Sequence, residues 1–201
     1  AFTTALGAMN VNGDLHIDTT LSHIDFCGHL STRKFQLGHL INQADLGAVA
    51  FHAHVDGKID STSLTHCIAE ADIHSIEVFG YKYKNIRIDG EMYSEEVNGS
   101  LTINDENIRL NINGLADWSE EDTRLDLTID LAQFQPAKLN LIQQYPNLEL
   151  GATTYISLYT SGKTEEMLDN LTGYVIIDSL QIQNGEVQTM MEQLKLLVDS
   201  E

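Results

Sequence analysis

Residues 107–113 read NIRLNIN, and residues 124–131 read RLDLTIDL. In both, apolar and polar residues alternate without a break. Successive side chains of a strand leave on opposite faces, so a period of two describes strands with one apolar and one wet face. Shorter forms of the pattern occur at Leu15 and Ile17, at Ile86 and Ile88, and at Leu101 and Ile103. Asp89-Gly90, Asn98-Gly99 and Asn113-Gly114 are dipeptides that accept positive φ cheaply. Together these signals predict a run of antiparallel hairpins over residues 75–131. Residues 46–59 and 81–93 read as unusually long strands, and a long strand with one apolar face needs a cover, a partner sheet or a ligand.

Helical signal is sparse. Residues 35–43 (FQLGHLINQ) have room for one or two turns, and residues 137–145 (AKLNLIQQY) for another, just after Pro136. Residues 184–199 are the best candidate for a long helix. There Val187, Met190, Met191, Leu194 and Leu197 or Val198 fall near i, i+3, i+4, i+7 spacing, with strand also open at the start. The expected fold is mainly β, a long antiparallel twisted sheet with a few short helices.

Two segments repeat each other. LGAVAFHAHVDGK begins at Leu46 and LELGATTYISLYTSGK at Leu148. Both carry Gly-Ala, an aromatic and then Gly-Lys, and both follow a Phe-Gln pair, at Phe35-Gln36 and Phe134-Gln135. The offsets are 99 for the phenylalanines (134 − 35), 104 for Gly47 and Gly151, and 105 for Gly57 and Gly162. Indels of a few residues between matched elements are what related structural repeats show. The chain therefore reads as one β-rich segment with two related units, at about residues 30–130 and 131–201.

At 201 residues the chain is long enough for one large domain or two small ones, and its 42% apolar content argues against wholesale disorder. Two prolines and no low-complexity linker favour one continuous structure. The formal charge of −19 repels phosphate backbones and anionic membrane surfaces, so nucleic acid is not an expected partner. Cys27 and Cys67 form no CxxC pair, and a bridge between them is an open alternative in an oxidising compartment. No apolar run approaches the length of a membrane helix, and no basic-apolar signal sequence stands at the start. The first residue is Ala1, which suggests a piece of a longer protein whose anchoring or targeting segment lies elsewhere.

Signatures of chemistry are weak. Ser161-Gly162-Lys163-Thr164 ends like a phosphate-binding loop, but Ser157 stands where the motif requires glycine. His52 and His54 project from one face of a strand, a geometry that can chelate a metal, yet no third ligand is marked. No histidine forms HExxH and no serine sits in GxSxG. Asp105-Glu106 and Glu120-Glu121-Asp122 read as exposed hairpin tips rather than a catalytic carboxylate pair. Asp14, Asp18 and Asp25 do not follow a calcium-loop pattern. The expectation is no enzyme, no cofactor, no metal and no catalytic residue.

Residues 80–131 read GYKYKNIRIDGEMYSEEVNGSLTINDENIRLNINGLADWSEEDTRLDLTIDL. Tyr81-x-Tyr83-x-x-Ile86, Gly99-x-Leu101-x-Ile103-x-Asp105, Asn107-x-x-Leu110, LDNLTGYVIID at residues 168–178 and Phe35-x-Leu37-Gly38-x-Leu40 form a set. That set resembles the AsmA-like/TamB superfamily, in particular the large TamB-type envelope proteins of Gram-negative bacteria. The resemblance covers most of the chain. It implies an internal periplasmic segment of a protein anchored in the inner membrane. It also implies strands coiled into an open, taco-like or solenoid-like groove that carries lipid in outer-membrane biogenesis. The chain shows neither the N-terminal anchor nor an identifiable C-terminal domain of that family.

The leading expectation is a non-enzymatic segment that binds phospholipid or another acyl lipid. Its apolar face would comprise Leu101, Ile103, Ile108, Leu110, Ile112, Leu125, Leu127 and Ile129, with Phe51, Val55, Tyr155 and Tyr159 lining it in the two repeats. For any one of these residues taken singly, plain core packing is the stronger reading. The alternative is a structural scaffold whose open edges pair with neighbouring segments of the same protein or with outer-membrane assembly proteins. An enzyme acting on envelope glycans or lipids would require converging acids or histidines.

Overall fold

The computed structural model describes residues 2–18, 22–61, 63–118, 122–161 and 170–199. Gly162-Lys163-Thr164, Glu120-Glu121 and Leu168-Asp169, all singled out above, lie outside the described residues. The protein is mainly β, with long antiparallel strands and very little helix. It divides into two compact units. The first comprises Ala1–Ser94 with Ile103–Asp105, and the second Glu95–Thr102 with Glu106–Glu201.

The first unit holds β1 (Phe2–Thr4), β2 (Gly7–Ile17), β3 (His23–Gln36), α1 (Leu37–Ile41), β4 (Leu46–Asp60), β5 (Ser63–Val78) and β6 (Tyr81–Tyr93). Strand β7 (Glu96–Asn104) lies mostly in the second unit, which continues with β8 (Ile108–Asp117), β9 (Asp122–Phe134), β10 (Leu148–Ser161) and β11 (Thr172–Asn184). β12 (Val187–Met191) and β13 (Leu194–Val198) complete it, both pairing with β11. Within each unit the strands are hydrogen-bonded in chain order, as a meander. Among the described residues no ladder joins β2 back to β6, or β8 back to β11, so neither set closes on itself.

The hairpins form, but not at the predicted dipeptides. Asp89-Gly90, Asn98-Gly99 and Asn113-Gly114 lie inside β6, β7 and β8. The turn between β5 and β6 is Phe79-Gly80, with φ of 51° and 73° and Val78 opposite Tyr81 as the closing pair. Two successive positive φ values suit a two-residue turn that matches strand twist. Phenylalanine there breaks the usual residue preference, which is why the sequence hides the turn. The mid-strand glycines serve packing instead. A Cβ at Gly114 would lie 2.2 Å from Leu127 Cδ2, and one at Gly57 would lie 2.5 Å from Phe26 Cζ. Each glycine is the seat for a large side chain of the neighbouring strand.

Residues 184–199 are two strands rather than a helix. Gly185, at φ 64°, makes a two-residue turn that places Val187 opposite Asn184. Met191, Leu194, Leu196 and Val198 then fall opposite Leu180, Ile177, Val175 and Gly173. β11 offers a row of backbone partners, and pairing with it outweighs the helical spacing of five side chains. The short helical element in residues 35–43 is present as α1. Residues 137–145 hold only a turn, closed by Leu141 N to Pro136 O at 2.9 Å.

Very little of this β structure is sealed. Besides Pro136, only Phe35, Val49, Ile86, Ile108 and Leu139 are buried apolar side chains among the described residues. The chain exposes 13189 Å². Two wholly separate compact globules of half its mass would together expose only about 11,400 Å². Among the described residues, large apolar side chains on the strands stay exposed, Val11, Leu15, Ile88, Leu194 and Leu196 among them.

Candidate functional site

Directly opposed residues in a ladder share a face, so the registers define which side chains stand together. In the second unit one row runs Gly114, Leu127, Ile156, Val175, Leu196 across β8 to β13. The next runs Ile112, Ile129, Thr154, Ile177, Leu194. Then follow Leu110, Leu131, Ala152, Leu180, Met191 and Ile108, Phe134, Leu150, Ile182, Thr189. One face is thus apolar over five strands. Its end near Ile108 adjoins the turn after β9, where Leu139 is 0% exposed and Pro136 is fully buried. Elsewhere the face is half-buried on β8 to β11 and exposed at Thr189, Met191, Leu194 and Leu196 on β12 and β13.

The first unit repeats the arrangement. Val11, Leu30, Ala53, Ala71 and Ile88 form one row from β2 to β6, and Leu15, Phe26, Gly57, Cys67 and Met92 another. α1 packs against β4 after the buried Phe35. A Cβ at Gly38 would lie 1.6 Å from the Leu46 carbonyl oxygen, so only glycine lets the helix approach so closely. Each unit therefore has a short turn element after a Phe-Gln pair and an apolar face that stays partly exposed among the described residues.

The predicted lining residues fall out as follows. Ile108, Leu110, Ile112, Leu125, Leu127 and Ile129 share the apolar face of the second unit. Phe51, opposite Thr32 and Ile73, and Val55, opposite Gly28 and Ala69, share that of the first. Leu101 and Ile103 stand two apart on β7, on one face of that strand, and both are half-buried. Tyr155 and Tyr159 lie on the other face. They stand opposite Thr128 and Arg124, while Thr154, Ile156 and Leu158 face the apolar rows. The repeat alignment matched Gly47 to Gly151, but the apolar face begins at Val49 in β4 and already at Ala152 in β10. A one-residue slip moves every later side chain to the opposite face. Ile156, Val175, Ile177, Leu180 and Ile182 were missed, although alternation in β10 marked the first.

The opposite face is polar and rich in histidine in the first unit. His16, Asp25, Lys58, His66 and Tyr93 form one row; Asn12, His29, His54, Glu70 and Asp89 form another. His23 bonds Asp60 and lies 3.3 Å from Asp25, which raises its pKa, the Asp60 hydrogen bond being the main cause. That bond lowers the pKa of Asp60 in turn. Arg87 donates two hydrogen bonds to Asp89, at 2.8 and 2.9 Å, holding that carboxyl below the usual range. In the second unit Ser157 donates to Asp126 at 2.6 Å, which with Arg124 lowers the Asp126 pKa.

Cys27 stands opposite Asp56 on the polar face, whereas Cys67 stands opposite Gly57 on the apolar one. They project from opposite sides of the sheet, and both are free thiols. Asp105, expected at an exposed tip, is 3% exposed. It accepts hydrogen bonds from the Tyr81 hydroxyl and, at 3.0 Å, from the Lys84 backbone N–H, which together make its burial affordable. Tyr83 has a raised pKa, mainly from desolvation, with the Asp105 charge adding to it. Among the described residues no three His, Cys, Asp or Glu side chains gather around one point. None of the helices described is long and apolar enough to cross a membrane. Comparison with protein-family models, with characterised proteins and with solved structures finds no significant match.

Proposed function

We propose that the chain is a non-enzymatic segment of an AsmA/TamB-like envelope protein, and that its apolar sheet faces take up lipid acyl chains. The observation that carries this reading is the exposure of the apolar face: rows of Leu, Ile and Val cross five strands, yet apart from Pro136 only five apolar side chains are buried among the described residues. Exposed apolar patches of this extent mark interaction surfaces rather than ordinary protein surface. A contact of twelve methylenes contributes about 10 kcal/mol gross at 0.8 kcal/mol each, before the entropy lost on binding. No headgroup site is required for such binding. The resemblance in residues 80–131 supports a periplasmic location and a role in outer-membrane biogenesis, with neighbouring segments of the same protein as further partners.

The test is native mass spectrometry of the purified chain, before and after incubation with phospholipid, followed by organic extraction. Bound lipid that is lost in Leu110→Asp and Leu127→Asp, with circular dichroism unchanged, is the expected result. Lipid-free protein throughout sinks the proposal. In that case the second reading gains, an interaction scaffold. Its supporting observation is the apolar outer strand pair, where Val187 and Leu197 are each 73% exposed and Met190 is 62% exposed. Concentration-dependent self-association without lipid is its signature, and outer-membrane assembly proteins are its alternative partners.

A further inference from the structure

All eight histidines of the chain fall within residues 16–74, and the ladders bring several together on the polar face of the first unit. His29 and His54 are direct cross-strand partners on β3 and β4. Their ring centres lie 4.5 Å apart with a tilt of 31° between planes. Two imidazoles on one tetrahedral ion, each nitrogen about 2.0 Å from the metal, hold their ring centres roughly 5 Å apart. A small rotation of either side chain reaches that geometry. The His54 Nδ1–H donates to the Gly28 carbonyl oxygen at 3.2 Å. A carbonyl only accepts, so this bond assigns the proton to Nδ1 and leaves the Nε2 lone pair free. A backbone carbonyl that orients the second ring nitrogen is the usual support of a metal-bound histidine.

We propose that His29 and His54 chelate a late first-row divalent cation, zinc in the first instance. Imidazole nitrogen suits zinc, copper and nickel rather than calcium or magnesium. The pair opens on a cleft of about 250 Å³ that His52, Glu70 and Asp72 also line. Glu70 stands directly opposite His54 and supplies negative charge beside the ion. Arg87 lines the same cleft, but its guanidinium is tied to Asp89. Water completes the coordination, since no third protein ligand converges on the pair among the described residues. Such a site binds more weakly than a closed structural one and exchanges its metal. It lies on the face opposite the acyl-binding rows and stands independently of them.

The experiment is isothermal titration of the chelator-stripped full chain with zinc chloride. One equivalent should bind, and His29→Asn and His54→Asn should each weaken zinc by at least about tenfold. His39→Asn, on α1, should leave the affinity unchanged. Circular dichroism of each variant confirms the fold. The proposal is overturned if the wild-type chain binds no zinc below millimolar concentration. It is equally overturned if binding survives both substitutions, or if His52→Asn abolishes it while His29→Asn does not.

Discussion

If the apolar face is open, truncating a side chain on it should cost less than truncating one that is sealed. The second unit offers both cases with the same residue type. Leu139 is 0% exposed, and Leu139→Ala removes buried methyl groups and leaves a cavity, at a cost of about 3–5 kcal/mol. Leu127 stands in the middle of the apolar rows but is only half-buried. Leu127→Ala forfeits part of roughly 2.4 kcal/mol of transfer energy, three carbons at 0.8 each, and leaves a dent that solvent fills instead of a void. Its expected cost is about 1.5–2 kcal/mol, with no cavity term. Equilibrium urea unfolding measures the difference, followed by circular dichroism and by fluorescence of Trp118, the one tryptophan, which also lies in the second unit. Coincident transitions by the two probes justify the two-state fit. An equal or greater loss for Leu127→Ala would refute the open face, because only a sealed core carries the cavity cost. Added phospholipid should raise the loss for Leu127→Ala and leave that for Leu139→Ala unchanged.

Three further outcomes follow from the geometry. Gly38→Ala sets a Cβ against the Leu46 carbonyl; we expect a loss of at least about 2–3 kcal/mol by thermal or urea unfolding. Phe79→Asn puts Asn-Gly in a turn whose first residue has φ 51°, and should stabilise the chain by about 1 kcal/mol in the same assay. The His23–Asp60 pair should give an NMR titration midpoint for His23 above the ordinary histidine value, and Asp60→Asn should bring it down. Because His23 is raised, its contribution is full below the ordinary histidine value and is lost as pH climbs through the folded one. Because Asp60 is lowered, its contribution is lost as pH falls through the folded carboxylate value. The pair is therefore intact between those two limits, and its exposure keeps its effect on stability small.

The strand character of residues 107–113 and 124–131 was legible because alternation is local: each side chain's face follows from its immediate neighbours. Six of the proposed lining residues, Ile108 to Ile112 and Leu125 to Ile129, followed directly. Tyr155 and Tyr159 did not, since their face depends on which residue of β10 meets Thr128 and Arg124. The helical spacing of residues 184–199 misled for a related reason. Five side chains fit two periods, and only the open backbone of β11 decided between them. The turn glycines misled because a glycine that frees φ and one that seats Leu127 look alike in one dimension.

By itself, then, the sequence determined the β class, the division into apolar and polar faces along each strand, and the absence of a recognisable catalytic motif. Tertiary structure alone decided the register that joins those stripes into rows, the pairing of His29 with His54, and how much of the apolar face stays exposed among the described residues. The physical reason is range. Alternation is written within a few residues, whereas register and cover depend on partners far along the chain, and a one-residue shift in pairing exchanges one face for the other.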